Sequence, residues 1–211
     1  MVVSIASTVS VRARGAATQN RILEKAVHIA SVEGLSAMSL ATLAKATSMS
    51  KSGLFAHFRS KEALQIAIID EAERIFFDGV VRPAQQANAG IERLMHLVEG
   101  YVEYSSRGPF EGGCFFAAAA HEFDGRPGPV RDRVIQYFDN WTSQVRTAAQ
   151  EAAQRGHLKE GLDVESFLFE LQGIGLSANV TAQLGGGAER ARVQGHDAVK
   201  ALMERVSAPQ N

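Results

Sequence analysis

Between Ser50 and Lys61 the chain gathers residue types that touch nucleic acid: Lys51, Ser52, Gly53, Phe55 and His57 stand together, with Leu54 and Phe58 at helical spacing pointing the other way. Lys51 offers a mobile positive charge. Ser52 offers a hydrogen bond to a base edge or a phosphate, and Gly53 lets a backbone approach closely. A probe for the major groove needs this arrangement, with one face free for the groove and the opposite face anchored to its own protein. Leu43, Ala44 and Ile29 are the expected anchors behind Leu54 and Phe58. For His57 two readings stand side by side, a phosphate contact and a partly buried structural histidine.

The other reactive residue types do not assemble into a catalytic set. No nucleophile and base share a spacing that would bring them together, and no Cys/His cluster has zinc-ligand spacing. His121, Glu122 and Asp124 invite a metal or acid-base reading, but adjacent residues on a helix diverge by about 100° and cannot share one ligand face. Cys114 has no resolving partner, and its apolar neighbour favours a buried thiol over a redox sensor. Gly185-Gly186-Gly187 follows no strand and precedes no Lys-Ser or Lys-Thr, so it is a helix breaker and not a phosphate loop. The chain is expected to be no enzyme and to hold no metal and no cofactor.

The elements that must position the Lys51 to His57 face are all helical. Apolar residues recur at helical spacing along almost the whole chain, and no run alternates apolar and polar residues as a half-buried strand would. An all-α fold of about nine helices is predicted. Thr18 caps the first, which carries Ile22, Ala26, Ile29 and Ala30 and stops at Gly34. Ser39 caps a short second helix with Leu40, Leu43 and Ala44, and Ser50 caps a third reaching His57. Two short helices joined by about three residues, the second rich in small polar and basic groups, describe a helix-turn-helix. Ser60 caps a fourth helix ending near Val81-Arg82-Pro83. Helices then follow over Ile91 to Ser105, Cys114 to Phe123, from Pro129 to about Arg155, from the Asp163 cap to Leu184, and from Gly187 to about Val206.

Charge divides the chain in the same place. The net charge is -1 overall, yet residues 1–61 hold eight Lys or Arg against two Glu, a net of +6, while the remainder holds 14 against 21, a net of -7. A basic head on an acidic body suits a polyanion partner. Chance segregation of solvated surface charge fits the composition equally well. A single cysteine excludes an internal disulfide framework and makes a reducing cytoplasm the natural compartment. Residues 1–17 lack a basic start and an unbroken apolar run, so they read as a flexible arm and not a secretory signal. The role of Arg12 and Arg14 within it is open between a minor-groove contact and none. No run of roughly 18 apolar residues argues for a membrane span.

Met38 to Leu64, MSLATLAKATSMSKSGLFAHFRSKEAL, closely resembles the DNA-binding signature of the TetR family of transcriptional regulators, and the resemblance extends back to Arg21. It implies a DNA-binding domain over 18–63 and a ligand-binding and dimerisation domain over 64–211. It further implies base reading by Lys51, Ser52 and Gly53, with Ser39, Thr42, Ser50, Phe55, His57 and Lys61 touching or bordering phosphates. Double-stranded DNA with a palindromic operator, a second copy of the chain and a small-molecule effector are the implied partners, and release of a repressor by its effector is the implied function. Two positions depart from the signature. Phe55 replaces the usual Tyr and loses its hydroxyl, leaving packing or apolar contact. Ser48 replaces the usual turn Gly, so a non-glycine residue is expected at positive φ with some strain.

In the body the resemblance guides architecture only. The last two helices are expected to pair with their twofold mates. Phe167, Leu168, Leu171, Ile174, Gly175, Ala178 and Ala182, with Val199 and Leu202, form the expected interface, eased by the small residues Gly173, Gly175 and Ser177. Packing of the same stripe within one subunit is the alternative. An effector pocket is expected among Tyr101, Tyr104, Cys114, Phe115, Phe116, His121, Phe138, Trp141, Phe169 and Gln172, each of which also fits ordinary core.

Overall fold

The computed structural model describes residues 4–209, with side chains from residue 17 onward. The predicted helical periodicity becomes α1 (Ser4–Glu33), α2 (Leu40–Thr47), α3 (Lys51–His57), α4 (Lys61–Phe76), α5 (Arg82–Gln86), α6 (Ile91–Arg107), α7 (Phe115–Phe123), α8 (Pro129–Gln154), α9 (Val164–Thr181) and α10 (Ala188–Val206). A π-helical turn, Phe77–Val81, fuses α4 and α5 into one rod. Extended pairing among the described residues is limited to one antiparallel bridge, Leu158 with Ser207. None of the described helices is long and apolar enough to cross a membrane.

The caps explain most boundaries. Ser39, Ser50 and Ser60 each accept a backbone N–H three residues on, at 3.1, 3.1 and 3.0 Å, and Asp163 accepts from Glu165 and Ser166. Each satisfies an N–H that the helix itself leaves orphaned. Pro129 opens α8, where a missing N–H costs nothing. Thr18, expected as the first cap, instead lies inside α1: the backbone is already helical at Ser4, and the Ala- and Arg-rich 12–17 segment favours helix. The side chains of Arg12 and Arg14 lie outside the described residues.

Pro83 does not end the fourth helix as expected. The turn ahead of it widens, with the Arg82 N–H donating to the Phe77 carbonyl five residues back, and the rod continues to Gln86. A proline ring clashes with the carbonyl four residues earlier in a regular α-helix, and a wider turn relieves that clash.

A contiguous core runs from the N-terminal helices into the body. In the head, Ile22, Ala26 and Val27 of α1 meet Leu43 of α2 and Leu54 of α3, with Phe58 beside them. Ile29 and Ala44 pack half-buried against this group. α4 touches α1 on one side and α8 on the other, so Leu64 and Ile68 belong to the same rod as Ile69, Ala72 and Phe76, all buried. In the body α6, α9 and α10 contact one another and α8 packs on α6.

The turn between α2 and α3 carries the expected irregularity. Ser48 has φ 56° and ψ 27°, making it the one non-glycine at positive φ among the described residues. A left-handed L-residue costs about 1–2 kcal/mol, of which glycine's extra unfolded entropy would return about half. Ser48→Gly is therefore expected to stabilise the protein by about 0.5–1 kcal/mol, raising the melting temperature by about 1–4 °C in a calorimetric scan.

Candidate nucleic-acid interface and buried cavity

The Ser50 cap fixes the start of α3, and Leu54 and Phe58 pin it from behind. Lys51, Ser52 and Phe55 face solvent. Phe55 is 57% exposed, which decides between the two roles open to it: the ring is presented outward and does not pack. His57 is half-buried beside the Phe58 ring. Ser50 Oγ also meets Ser52 Oγ at 3.1 Å, and Ser39 Oγ meets Thr42 Oγ1 at 3.0 Å, so these hydroxyls have partners within the head. Lys61 is committed elsewhere: its Nζ donates to the Ser36 carbonyl at 2.6 Å and does not project freely toward a phosphate.

That lysine is one part of a clamp on the segment between α1 and α2. Glu122, on α7, accepts from the Leu35 N–H through Oε1 at 2.9 Å and from the Ser36 N–H through Oε2 at 2.7 Å. Gln65 of α4 donates to the Leu35 carbonyl at 2.8 Å. Both peptide groups are thus tied from α4 and α7 together. The divergence of His121 and Glu122 around α7, which excluded a shared metal site, here sends one to the cavity described next and the other to the head. Among the described residues no group of His, Cys, Asp and Glu could hold a metal ion.

A cavity of about 220 Å³ lies in the body, lined by α6, α7, α8 and α9. Tyr101, Cys114, Phe116, His121, Phe138, Trp141 and Gln172 line it as expected, together with Ser105, Ala117, Ala120, Tyr137, Gly175 and Leu176, which the sequence reading missed. Helical spacing was the available signal: Ser105 lies one turn from Tyr101, and Tyr137 one turn from Trp141. Tyr104 and Phe115 are buried in the aromatic core and do not line the cavity. Phe169 is corrected outright, being 80% exposed on the far face of α9. Gly175 is required here, because a side-chain carbon at that position would collide with the Tyr101 ring.

Burial raises the Cys114 thiol and the Tyr101 and Tyr137 phenols above their ordinary pKa ranges, so these three groups are uncharged at neutral pH. Trp141 Nε1 is buried without a hydrogen-bond partner, and Ser105 Oγ is buried with the Tyr101 hydroxyl beside it. Phe76, the last residue of α4, meets Tyr101, Tyr137 and Trp141 edge-on, with centroids 6.4, 5.4 and 5.1 Å away. A second cavity of about 230 Å³ shares Tyr137 and Trp141 and reaches Phe76, Phe77 and Val81 at the π-helical turn.

The stripe expected between two copies packs mostly within one. Phe167, Leu168, Leu171, Gly175, Ala178, Val199 and Leu202 are buried, because this side of α9 faces α6 and α10. Ile174 and Ala182 are half-buried. The apolar face left open on α9 is a different one, Phe169, Leu176 and Val180, continued by Leu184 in the π-helical turn Ala182–Gly186 that follows, with Val193 of α10 also exposed. Beside it a groove of about 380 Å³ runs between α9 and α10, bordered by Gly173, Ser177, Gln194 and Ala198.

Residues 90–195 match the family described as tetracyclin repressor-like, C-terminal domain, and residues 22–68 match the bacterial regulatory proteins of the tetR family. The nucleoid occlusion factor SlmA of Marinobacter nauticus is 25% identical over 144 residues, covering 67% of this chain and 69% of that protein. Among solved structures, a TetR transcriptional regulator from Chloroflexus aurantiacus superposes with a TM-score of 0.83 at 22% identity, covering 93% of this chain and 99% of the other. AibR, solved with isovaleryl coenzyme A and operator DNA, gives 0.68 at 22% identity, covering 91% and 100%. At such identities the structural likeness speaks for the fold.

Removing the Glu122 carboxylate would leave two peptide N–H groups of the head without their acceptor. Glu122→Ala is expected to speed amide hydrogen exchange at Leu35 and Ser36 by about tenfold, the weight of one charge-assisted hydrogen bond. Glu122→Gln, which keeps one acceptor oxygen, should fall between.

Proposed function

The chain belongs to the TetR family of bacterial regulatory proteins, and from that premise we propose that it is a homodimeric repressor, released from its operator by a small molecule held in the body cavity. One observation carries the reading: Lys51, Ser52 and Phe55 are exposed together, with half-buried Gly53 between them, on a short helix capped at its start and pinned from behind. Lys51 and Ser52 would read base edges or phosphate, and Phe55 would offer an apolar contact such as a thymine methyl group. The basic first 61 residues would supply the long-range attraction.

Two such faces are needed for a palindromic site, about 34 Å apart in successive major grooves. The exposed α9 face of Phe169, Leu176 and Val180, with Leu184 in the turn after it, is the surface we assign to a second copy. Large apolar side chains at helical spacing favour burial, and the α9–α10 groove beside them would seat the partner's side chains.

Occupation of the cavity would reach the head by two contacts. Phe76 links three cavity walls to the end of α4, and α4 carries Lys61 and Gln65 at its other end. α7 lines the cavity through Ala117, Ala120 and His121 and holds the Leu35-Ser36 segment through Glu122. Arg133 of α8 adds a bridge to α4, with Nε on Asp70 at 2.7 Å and a second contact to Glu73. An effector shifts the spacing of the heads only if it binds the DNA-competent and released arrangements with different affinity.

A mobility-shift titration with DNA upstream of the protein's own coding region, repeated across salt concentrations, tests the reading. Binding is expected to weaken steeply with salt, and Lys51→Ala to weaken it by about tenfold. Salt-insensitive or absent binding would remove the regulator reading. Val180→Asp, which places a charge on the open α9 face, is expected to turn the dimer into monomers in sedimentation and to cost most of the operator affinity.

A further inference from the structure

We propose that the effector of the 220 Å³ cavity is an uncharged molecule built on a single aromatic ring and bearing a hydrogen-bond acceptor. The inference deepens the release reading and rests on it. Size comes first. A cavity of roughly 150 Å³ admits benzene, so about 220 Å³ takes a ring with a few further heavy atoms and excludes a nucleotide-sized ligand.

Charge comes next. None of the lining residues is Lys, Arg, Asp or Glu. An anion enclosed there would find no counter-ion, and a cation would meet aromatic faces but no carboxylate, so either would carry an uncompensated desolvation cost. His121 is exposed, at the rim.

Polarity then sets the functional group. Trp141 Nε1–H donates only, and it is buried without an acceptor. Ser105 Oγ, buried beside the Tyr101 hydroxyl, donates or accepts and can turn to a ligand. A buried donor without a partner is a standing cost that a ligand oxygen would relieve. The aromatic walls, Tyr101, Phe116, Tyr137 and Trp141, offer faces and edges to a flat ring.

The protein's one tryptophan lines the cavity, so its emission reports occupancy in the full-length chain. Acetophenone, ethylbenzene, benzoate, phenyltrimethylammonium and isovaleryl coenzyme A are titrated by calorimetry and by Trp141 fluorescence, with operator affinity measured in the same samples. Acetophenone is expected to bind at least fivefold tighter than ethylbenzene and at least tenfold tighter than the three charged probes. Ser105→Ala and Trp141→Phe should each weaken acetophenone by about threefold to tenfold and leave ethylbenzene unchanged. Ala120→Leu, filling the cavity, should abolish both; where that variant fails to fold, Ser105→Ala alone carries the test.

Tighter binding of a charged probe at the cavity, or no binding of either neutral probe up to about 1 mM, overturns the proposal. Operator release by isovaleryl coenzyme A with acetophenone inert would overturn the ligand class and leave the release reading intact. Acetophenone that binds with the expected variant pattern but leaves the operator bound supports the ligand class and counts against release.

Discussion

The structure turns on the burial of one side of α4 along its whole length. Leu64 and Ile68 belong to the core that α4 shares with α1, and Ile69, Ala72 and Phe76 continue that core into the body. No polar interval separates the two groups. Interiors packed at crystal-like density transmit displacement and do not absorb it. On the proposed reading, a shift of Phe76 would be passed toward Lys61 and Gln65, and through them to the backbone that leads into α2. Glu122 closes the same circuit from α7, so the head is held at two points by elements that both border the cavity.

The cavity walls are unusual in being aromatic and free of Lys, Arg, Asp and Glu while leaving the Trp141 N–H unsatisfied. An ordinary core of this composition would be packed shut and its polar groups paired. Here the empty volume and the unpartnered Trp141 group occur together, within the reach of Phe76. Stability is given up where binding would recover it, a pattern expected of a functional site and not of a structural one.

Local chemistry made much of this legible in the sequence. Ser39, Ser50, Ser60 and Asp163 act as caps where their types and positions predicted, Ser48 takes the positive φ that the resemblance implied for its place in the turn, and seven of the residues offered as an aromatic set with a few polar groups line one cavity. The failures came where a residue had two environments to choose between. Helix α9 is apolar on more than one side, and periodicity alone does not say which side meets its own subunit. Phe167 and Leu171 turned inward, and Phe169 turned out. Lys61 was read through the resemblance as a phosphate contact and Glu122 was discounted on helical divergence, and neither reading could reach their partners here, backbone groups at 35 and 36 that no spacing rule brings near. Pro83 failed to stop its helix for the same reason: the relief was a wider turn, a feature without a side-chain signature.

Gly175 ties two properties of the molecule into one position. Its missing side chain is what leaves the Tyr101 ring its place in the cavity wall, and Tyr101 in turn lies edge-on to Phe76. Any replacement that reshapes the chamber from α9 must push that ring and, with it, the end of the rod leading to the head. On the proposed reading, change at this site is pleiotropic: a descendant that altered the ligand fit here would shift the response of the head in the same step, and compensating changes would fall along Tyr101 and Phe76.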